Sequence, residues 1–296
     1  KSIGTRYSEE ARSVTQTTDE GFVVAGSTNH PKLGYGSKDV FVTKLDKTGK
    51  IISQLILGGN GLDEVEKVIP TKDGGVLMGI YSRSDIYEGS SKSKINSKDL
   101  SASLTQNSNS ASSSNTQSNN AESNSNKQNS ESYDVNFYGK TDSNYGEGDY
   151  WIVKLDKNGT VQWEKNFGGS EDDHIRTMAL SDSGYIIGGE SRSQTSGNKR
   201  AKLEEGTDLW VLTLDEDGNE QWQQSYNFKN RDVLMSINTI KETGSKNQES
   251  TKGFLIGGFT QAEGKVQSND ETFWMLYIDK NGKEVWRKYV EGKEKK

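Results

Sequence analysis

Cysteine is absent from the 296 residues, so neither a disulfide framework nor a thiolate metal or redox site can form. No apolar run is long enough to span a bilayer. Basic residues do not prevail: Lys and Arg number 37 against 43 Asp and Glu, a formal charge of −6 with a pI near 5.3. Such a surface does not suit nucleic acid, because phosphate binding needs a basic face. Proline occurs twice and histidine twice. The chain opens on Lys1, without an initiating Met or a signal peptide, and is read as processed or excised from something longer.

Apolar residues make up only 29% of the chain, and the deficit has a local cause. Residues 88–147 are nearly devoid of aliphatic side chains, and Ser101–Ser132 is a Ser/Asn/Gln tract. Such a tract cannot offset its ordering entropy, so 88–147 is expected to be a disordered insertion. The remainder carries all six Trp and much of the 32 Gly. Abundant glycine and aromatics suit short strands joined by tight turns.

One signature recurs four times, as Leu45-Asp46-Lys47-Thr48-Gly49, Leu155-Asp156-Lys157-Asn158-Gly159, Leu214-Asp215-Glu216-Asp217-Gly218 and Ile278-Asp279-Lys280-Asn281-Gly282. The Asp suits the first position of a type I turn. The Gly suits the left-handed residue closing a bulged hairpin. An alternating strand precedes each corner, beginning at Asp39, Asp149, Asp208 and Thr272. Four residues after three of the glycines stands a tryptophan: Trp163, Trp222 and Trp286; the first copy has Ser53. Upstream of each corner lie a Gly-led strand, opening at Gly21, Gly75, Gly184 and Gly253, and one further strand before it.

Each unit thus reads as strands a, b, c and d, with a variable loop between b and c and the Asp-x-x-Gly corner between c and d. Such a sheet cannot cover both its faces alone, and stacked neighbours supply the missing core. The fold class is therefore all-β, a propeller-type array of four four-stranded antiparallel blades. One domain over 1–296 is expected, with blades at about 5–58, 59–168, 169–227 and 228–292 and the insertion in the second. Four units are read as a segment of a larger propeller rather than a closed ring.

These motifs resemble the propeller repeats of bacterial secreted and cell-surface proteins. The third unit matches best, through Gly168-Gly169-Ser170-Glu171-Asp172-Asp173, Ser183-Gly184-Tyr185 and Asp208 to Trp222. The resemblance implies the fold and says little about ligand. The repeats are more distantly similar to those of quinoprotein dehydrogenases, which implies that each d-strand tryptophan wedges between adjacent blades, worth roughly a few kcal/mol. The Asp-to-Gly spacing is one residue shorter here, which speaks against bound quinone.

Candidate ligand-face residues lie in the turns between d and a: Asp63, Asp172, Asp173, His174 and Asp232. Calcium is the ion such acidic turns would admit, needing several oxygens at about 2.3–2.6 Å. The competing reading is that each Asp fixes its own turn. Neighbours vary too much between copies for a repeated metal site, and no cofactor is expected. The loop from Asp215 to Glu220 lacks the later bidentate Glu of an EF-hand. Neither histidine neighbours a nucleophile motif and no Gly-x-Ser-x-Gly elbow occurs, so no catalytic residue is assigned.

The b–c loops vary most and should share a face with the d–a turns, where function concentrates. A non-catalytic extracellular or cell-surface binding module is expected, taking carbohydrate, protein or cell-wall polymer. Composition and resemblance point to a Gram-positive surface. A propeller-scaffold enzyme, either a glycosidase or a quinone-dependent dehydrogenase, and a structural spacer remain as alternatives.

Overall fold

The computed structural model describes residues 8–31, 33–89, 95–96, 134–245, 247–261 and 271–290. Among them there is no helix, so none is long and apolar enough to cross a membrane. The strands fall into four antiparallel meanders. The first holds β1 (Glu9–Gln16), β2 (Phe22–Thr28), β3 (Asp39–Leu45) and β4 (Ile51–Gly58). Two short strands, β7 (Ile95–Asn96) and β8 (Asp134–Gly139), extend this sheet beyond β4. The second sheet holds β5 (Asp63–Pro70), β6 (Val76–Ser82), β9 (Asp149–Leu155) and β10 (Val161–Phe167). The third runs through β11 (Asp173–Ser181), β12 (Gly184–Ser191), β13 (Asp208–Leu214) and β14 (Glu220–Tyr226). The fourth runs through β15 (Arg231–Thr243), β16 (Glu249–Gln261), β17 (Glu271–Asp279) and β18 (Glu284–Val290).

The four Asp-x-x-Gly corners share one geometry. The Asp carboxylate accepts the backbone N–H two and four residues on, at 2.8–3.0 Å in every copy. Gly49, Gly159, Gly218 and Gly282 have φ of 81°, 83°, 83° and 83°, a region only glycine enters without strain. Each corner therefore fixes the same c–d register with a bulge beside it.

Stacking follows from the strands' near-continuous apolar runs. Successive side chains point to opposite faces, and in the inner sheets both faces are covered. Trp151 and Val153 of β9 pack back onto Val40, Val42 and Leu57, while Tyr150 and Ile152 pack forward onto the third sheet. Trp210 and Leu212 pack back onto the second sheet, and Leu209 and Val211 forward onto the fourth. Small residues on strand b open the notch for the next sheet. A Cβ on Gly79 would lie 2.6 Å from Ile175, and one on Gly188 would lie 2.8 Å from Leu234 and Ile237. The sheets pack in series through strands β1, β5, β11 and β15, and among the described residues no comparable packing joins the fourth sheet to the first.

One expectation needs correction. The insertion over 88–147 is not disordered throughout, nor confined to the second blade. Residues 134–147 are ordered, and β8 pairs in parallel with β4 of the first sheet, burying Val135 against Ile56. The apolar Val135 and Phe137, set among polar neighbours, give that strand a face to bury. The Ser/Asn/Gln tract itself lies outside the described residues. Indoles occupy two positions at the junctions between sheets, one central on strand c and one at the rim on strand d, where Trp163 and Trp222 reach the adjacent sheet. The interfaces are filled by the strand-c tryptophans Trp151, Trp210 and Trp274, each at most 1% exposed. Trp163 and Trp222 are only half-buried, lying beneath the corners at Gly218 and Gly282 of the following sheet. Trp286 has no following corner and is 38% exposed.

Candidate functional site

The d–a turns and b–c loops meet at one end of the sheets, where Ser37 N bonds Gly61 O and Arg83 N bonds Leu62 O. Asp63, Asp173 and Asp232 sit there but do not face solvent: each is fully buried. Asp63 accepts Gly59 N–H and Ser84 Oγ–H, both at 2.8 Å. Asp173 repeats the pattern with Gly169 N–H at 2.6 Å and Ser193 Oγ–H at 2.8 Å. Asp232 accepts Phe228 N–H at 2.7 Å and Lys229 N–H at 3.2 Å. These three candidates are turn clamps rather than ligand groups. Burial raises the pKa of each, to about 6 for Asp232.

Two buried lysines, overlooked in the sequence, sit beside the clamps. Lys140 Nζ donates to Ser82 Oγ at 2.9 Å and Ser84 O at 2.7 Å, and to Asn144 Oδ1. Lys199 Nζ donates to Ser193 O at 2.8 Å and Ala201 O at 2.6 Å. They hang over the Trp151 and Trp210 rings at 5.5 and 5.8 Å. Burial lowers both lysine pKa values, while Asp63 and Asp149 around Lys140, and Asp173 and Asp208 around Lys199, pull the other way. Burial also raises Asp149 to about 7. A signal existed: each lysine precedes its strand-c Asp by nine residues, and His30 precedes Asp39 by the same interval. His30 is likewise buried.

Asp172 and His174 come together through Tyr81. The His174 ring stacks on Tyr81 with centroids 3.8 Å apart and planes 5° apart, and Tyr81 OH donates to Asp172 Oδ1 at 2.5 Å. Gly148 permits this approach, since a Cβ there would lie 2.5 Å from both Tyr81 and Asp172. His174 Nε2 lies 3.4 Å from Glu66 Oε1, and Arg12 Nη2 lies 3.1 Å from Glu66 Oε2. A polar chain thus crosses the innermost strands of three sheets. Burial pushes the Glu66 pKa up, but bonds from His174 and Arg12 outweigh it and hold the carboxyl below its usual range. Arg176 Nε binds both oxygens of Glu190 at 3.1 and 3.0 Å. Glu66 and Glu190 are thus each matched by an arginine, the first across two sheets and the second within the third, contacts that fasten strands together.

An open cleft of about 600 Å³ lies on the same end, lined by Asn60, Asp85, Ile86, Tyr87, Glu88 and Ser143 among others. Asn60 Oδ1 accepts Asp85 N–H at 3.0 Å, and Tyr87 meets Tyr35 edge-on at 4.6 Å. Apart from the 88–147 insertion, nothing in the repeat pattern marks these residues, because they belong to loops that differ between units. Among the described residues no group of three His, Asp or Glu is arranged to hold a metal ion. The Asp215 carboxylate is taken up by Asp217 N, Asn219 N and two side-chain amides.

No family model matches the chain, and no curated protein matches it. Among solved structures, a protein of unknown function from Bacteroides caccae aligns over 97% of this chain and 70% of its own, at a TM-score of 0.41 and 10% identity.

Proposed function

We propose that the chain is a propeller-type repeat module, extracellular or cell-surface, that binds a polar polymer through the loop end of its sheets, with a glycan as the first class to test. The cleft beside Tyr87 carries this proposal. It offers an amide, two carboxylates, a hydroxyl and an aromatic ring to solvent, on variable loops held by a rigid frame. The inner carboxylates Glu66 and Glu190 are occupied by arginines, which favours binding over acid–base chemistry. Gram-positive surface residence rests on composition and resemblance alone.

The test is a glycan and surface-protein array followed by calorimetry on each hit. A saturable hit that Tyr87→Ala and Asn60→Ala abolish, without lowering the melting temperature, supports the proposal. Absence of any hit favours the spacer reading. Asp85 and Glu88 share the cleft, so a glycosidase is the second reading. Glycoside hydrolysis lost in Asp85→Asn and Glu88→Gln would establish it.

A further inference from the structure

Lys140 differs from its counterpart Lys199 in what its amine touches. Lys199 Nζ is held by two backbone carbonyls, those of Ser193 and Ala201. Four residues beyond it stands Leu203, buried and apolar. Four residues beyond His30 stands Gly34. Four residues beyond Lys140 stands Asn144, and Lys140 Nζ lies against its Oδ1. Of these three matched positions, the one in the second sheet brings an amine to a side-chain amide.

The loop holds that pair together. Glu164 Oε1 accepts Thr141 N–H at 2.7 Å and Asp142 N–H at 3.1 Å, which keeps the chain bent between Lys140 and Asn144. Asn144 Nδ2 donates to Ser82 O at 2.7 Å, so its amide cannot turn away. Lys140 is fully buried, with its Nζ over the Trp151 ring. A carboxyl group stands beneath the same loop. Asp149 Oδ2 accepts Tyr145 N–H at 2.7 Å and an N–H of Asn166 Nδ2, which also donates to Ser143 O at 3.2 Å. Asp149 Oδ1 is buried and has no hydrogen-bond partner among the described residues.

The chemistry of the pair follows from burial. Burial lowers the Lys140 pKa and raises that of Asp149 to about 7, working toward a neutral amine beside a protonated acid. A desolvated lysine amine is a nucleophile. A second amine in the same sheet shows what is missing elsewhere. Lys154 Nζ reaches Gln162 Oε1 at 2.9 Å, but its carboxyl neighbour Asp73 is 49% exposed. Despite some burial, bonds from Lys154 and Thr71 hold that carboxyl down to about 2, so it has no proton to give.

We infer that Lys140 and Asn144 join in an intramolecular isopeptide bond, with the Asp149 carboxyl carrying the proton. Lys140 Nζ, having left one proton on Asp149, attacks Asn144 Cγ. The Nζ–Cγ bond forms and the Cγ–Nδ2 bond breaks. A proton released by Nζ passes through the Asp149 carboxyl to Nδ2, which leaves as ammonia. The step consumes no oxidant, metal or water. The fold supplies the position: an amide that is inert toward amines in solution is held against one. The product is a covalent ring over residues 140–144, in the b–c loop of the second sheet. It does not depend on what the loop cleft binds.

Intact mass spectrometry of the full chain, kept folded at neutral pH, tests this. The expected mass is that of the sequence less one ammonia. Trypsin should no longer cut after Lys140, and the deficit should map to residues 140–144. Asn-Gly pairs, such as those at Asn158 and Asn281, also lose ammonia when they form succinimides. Hydroxylamine separates the two, since it opens a succinimide and leaves an isopeptide bond intact. Lys140→Met should restore the full mass. Asp149→Asn should slow bond formation about a hundredfold or more. Asp232→Asn, which removes an equally buried turn carboxyl from the fourth sheet, should leave the rate unchanged. A purely structural role for Asp149 would slow neither variant or both, and would overturn its part. The full sequence mass in the folded chain overturns the bond itself, as does a deficit that hydroxylamine removes or that persists in Lys140→Met.

Discussion

The third and fourth sheets are built to the same plan but differ in what they lean on. Trp210 is sealed between sheets, with its indole N–H donating to Gln223 Oε1 at 3.2 Å. Trp274 is equally buried and stacks on Phe228 at 4.3 Å, yet its Nε1 has no acceptor among the described residues, where Arg287 stands in the place of Gln223. The forward face of the third sheet is covered by Leu234 and Ile237, whereas Phe273, Met275 and Trp286 on that of the fourth are exposed. The contrast teaches that the strands' own hydrogen bonds do not make a sheet self-sufficient. Burial on the second face separates an interior sheet from a terminal one.

The largest effect should come from removing the charge beneath the third sheet's loop. Lys199→Met leaves Asp173 and Asp208 without their cation and should lower unfolding free energy by about 3–5 kcal/mol in urea melts. Next come the strand-d indoles. Trp222→Ala should cost about 1–3 kcal/mol, whereas Trp286→Ala, at a more exposed indole, should stay within about 0.5 kcal/mol. Equal losses would erase the distinction between the sheets. The notch glycines give a smaller contrast: Gly188→Ala forces Leu234 and Ile237 aside and should cost about 1–3 kcal/mol, while Gly257→Ala should be nearly neutral.

The smallest effect is the pH dependence. Asp149, raised to about 7 by burial, and Asp232, raised to about 6, bind protons more tightly folded than unfolded. Their contribution is complete below about pH 4 and is lost as pH rises through 6 to 7. Asp19 and Asp73 are lowered to about 2, the first by its hydrogen bond from Thr17, the second by its bonds from Lys154 and Thr71 against a burial effect. Their contribution is present above about pH 4 and is lost as pH falls toward 2. Stability should therefore peak on the mildly acidic side of neutrality, and Asp149→Asn should flatten the fall between pH 5 and 7 by about 1–2 kcal/mol. Calorimetry across that window checks it.

The corners and strand order were legible because Asp and Gly act locally: one carboxylate and one positive φ define a turn without reference to anything distant. Stacking was legible as a need, since alternating apolar runs demand cover on both faces. The roles of particular side chains were less so. That Asp63, Asp173 and Asp232 fix their own turns was one of two readings the sequence allowed, and their complete burial decides for it. Lys140 and Lys199 lie in loops, and only their shared nine-residue offset from the next strand-c Asp sets them apart from solvated loop charges. The parallel docking of β8 on β4 joins segments about 80 residues apart, a pairing that no local pattern encodes.

Amide hydrogen exchange on the dilute chain measures the dependence of each sheet on its neighbour most directly. β12 and β13, covered on both faces, should exchange only through global unfolding, while β17 and β18 should exchange through a cheaper local opening. Equal protection in the two pairs of strands would contradict the claim that these sheets are held by the neighbours they lean on.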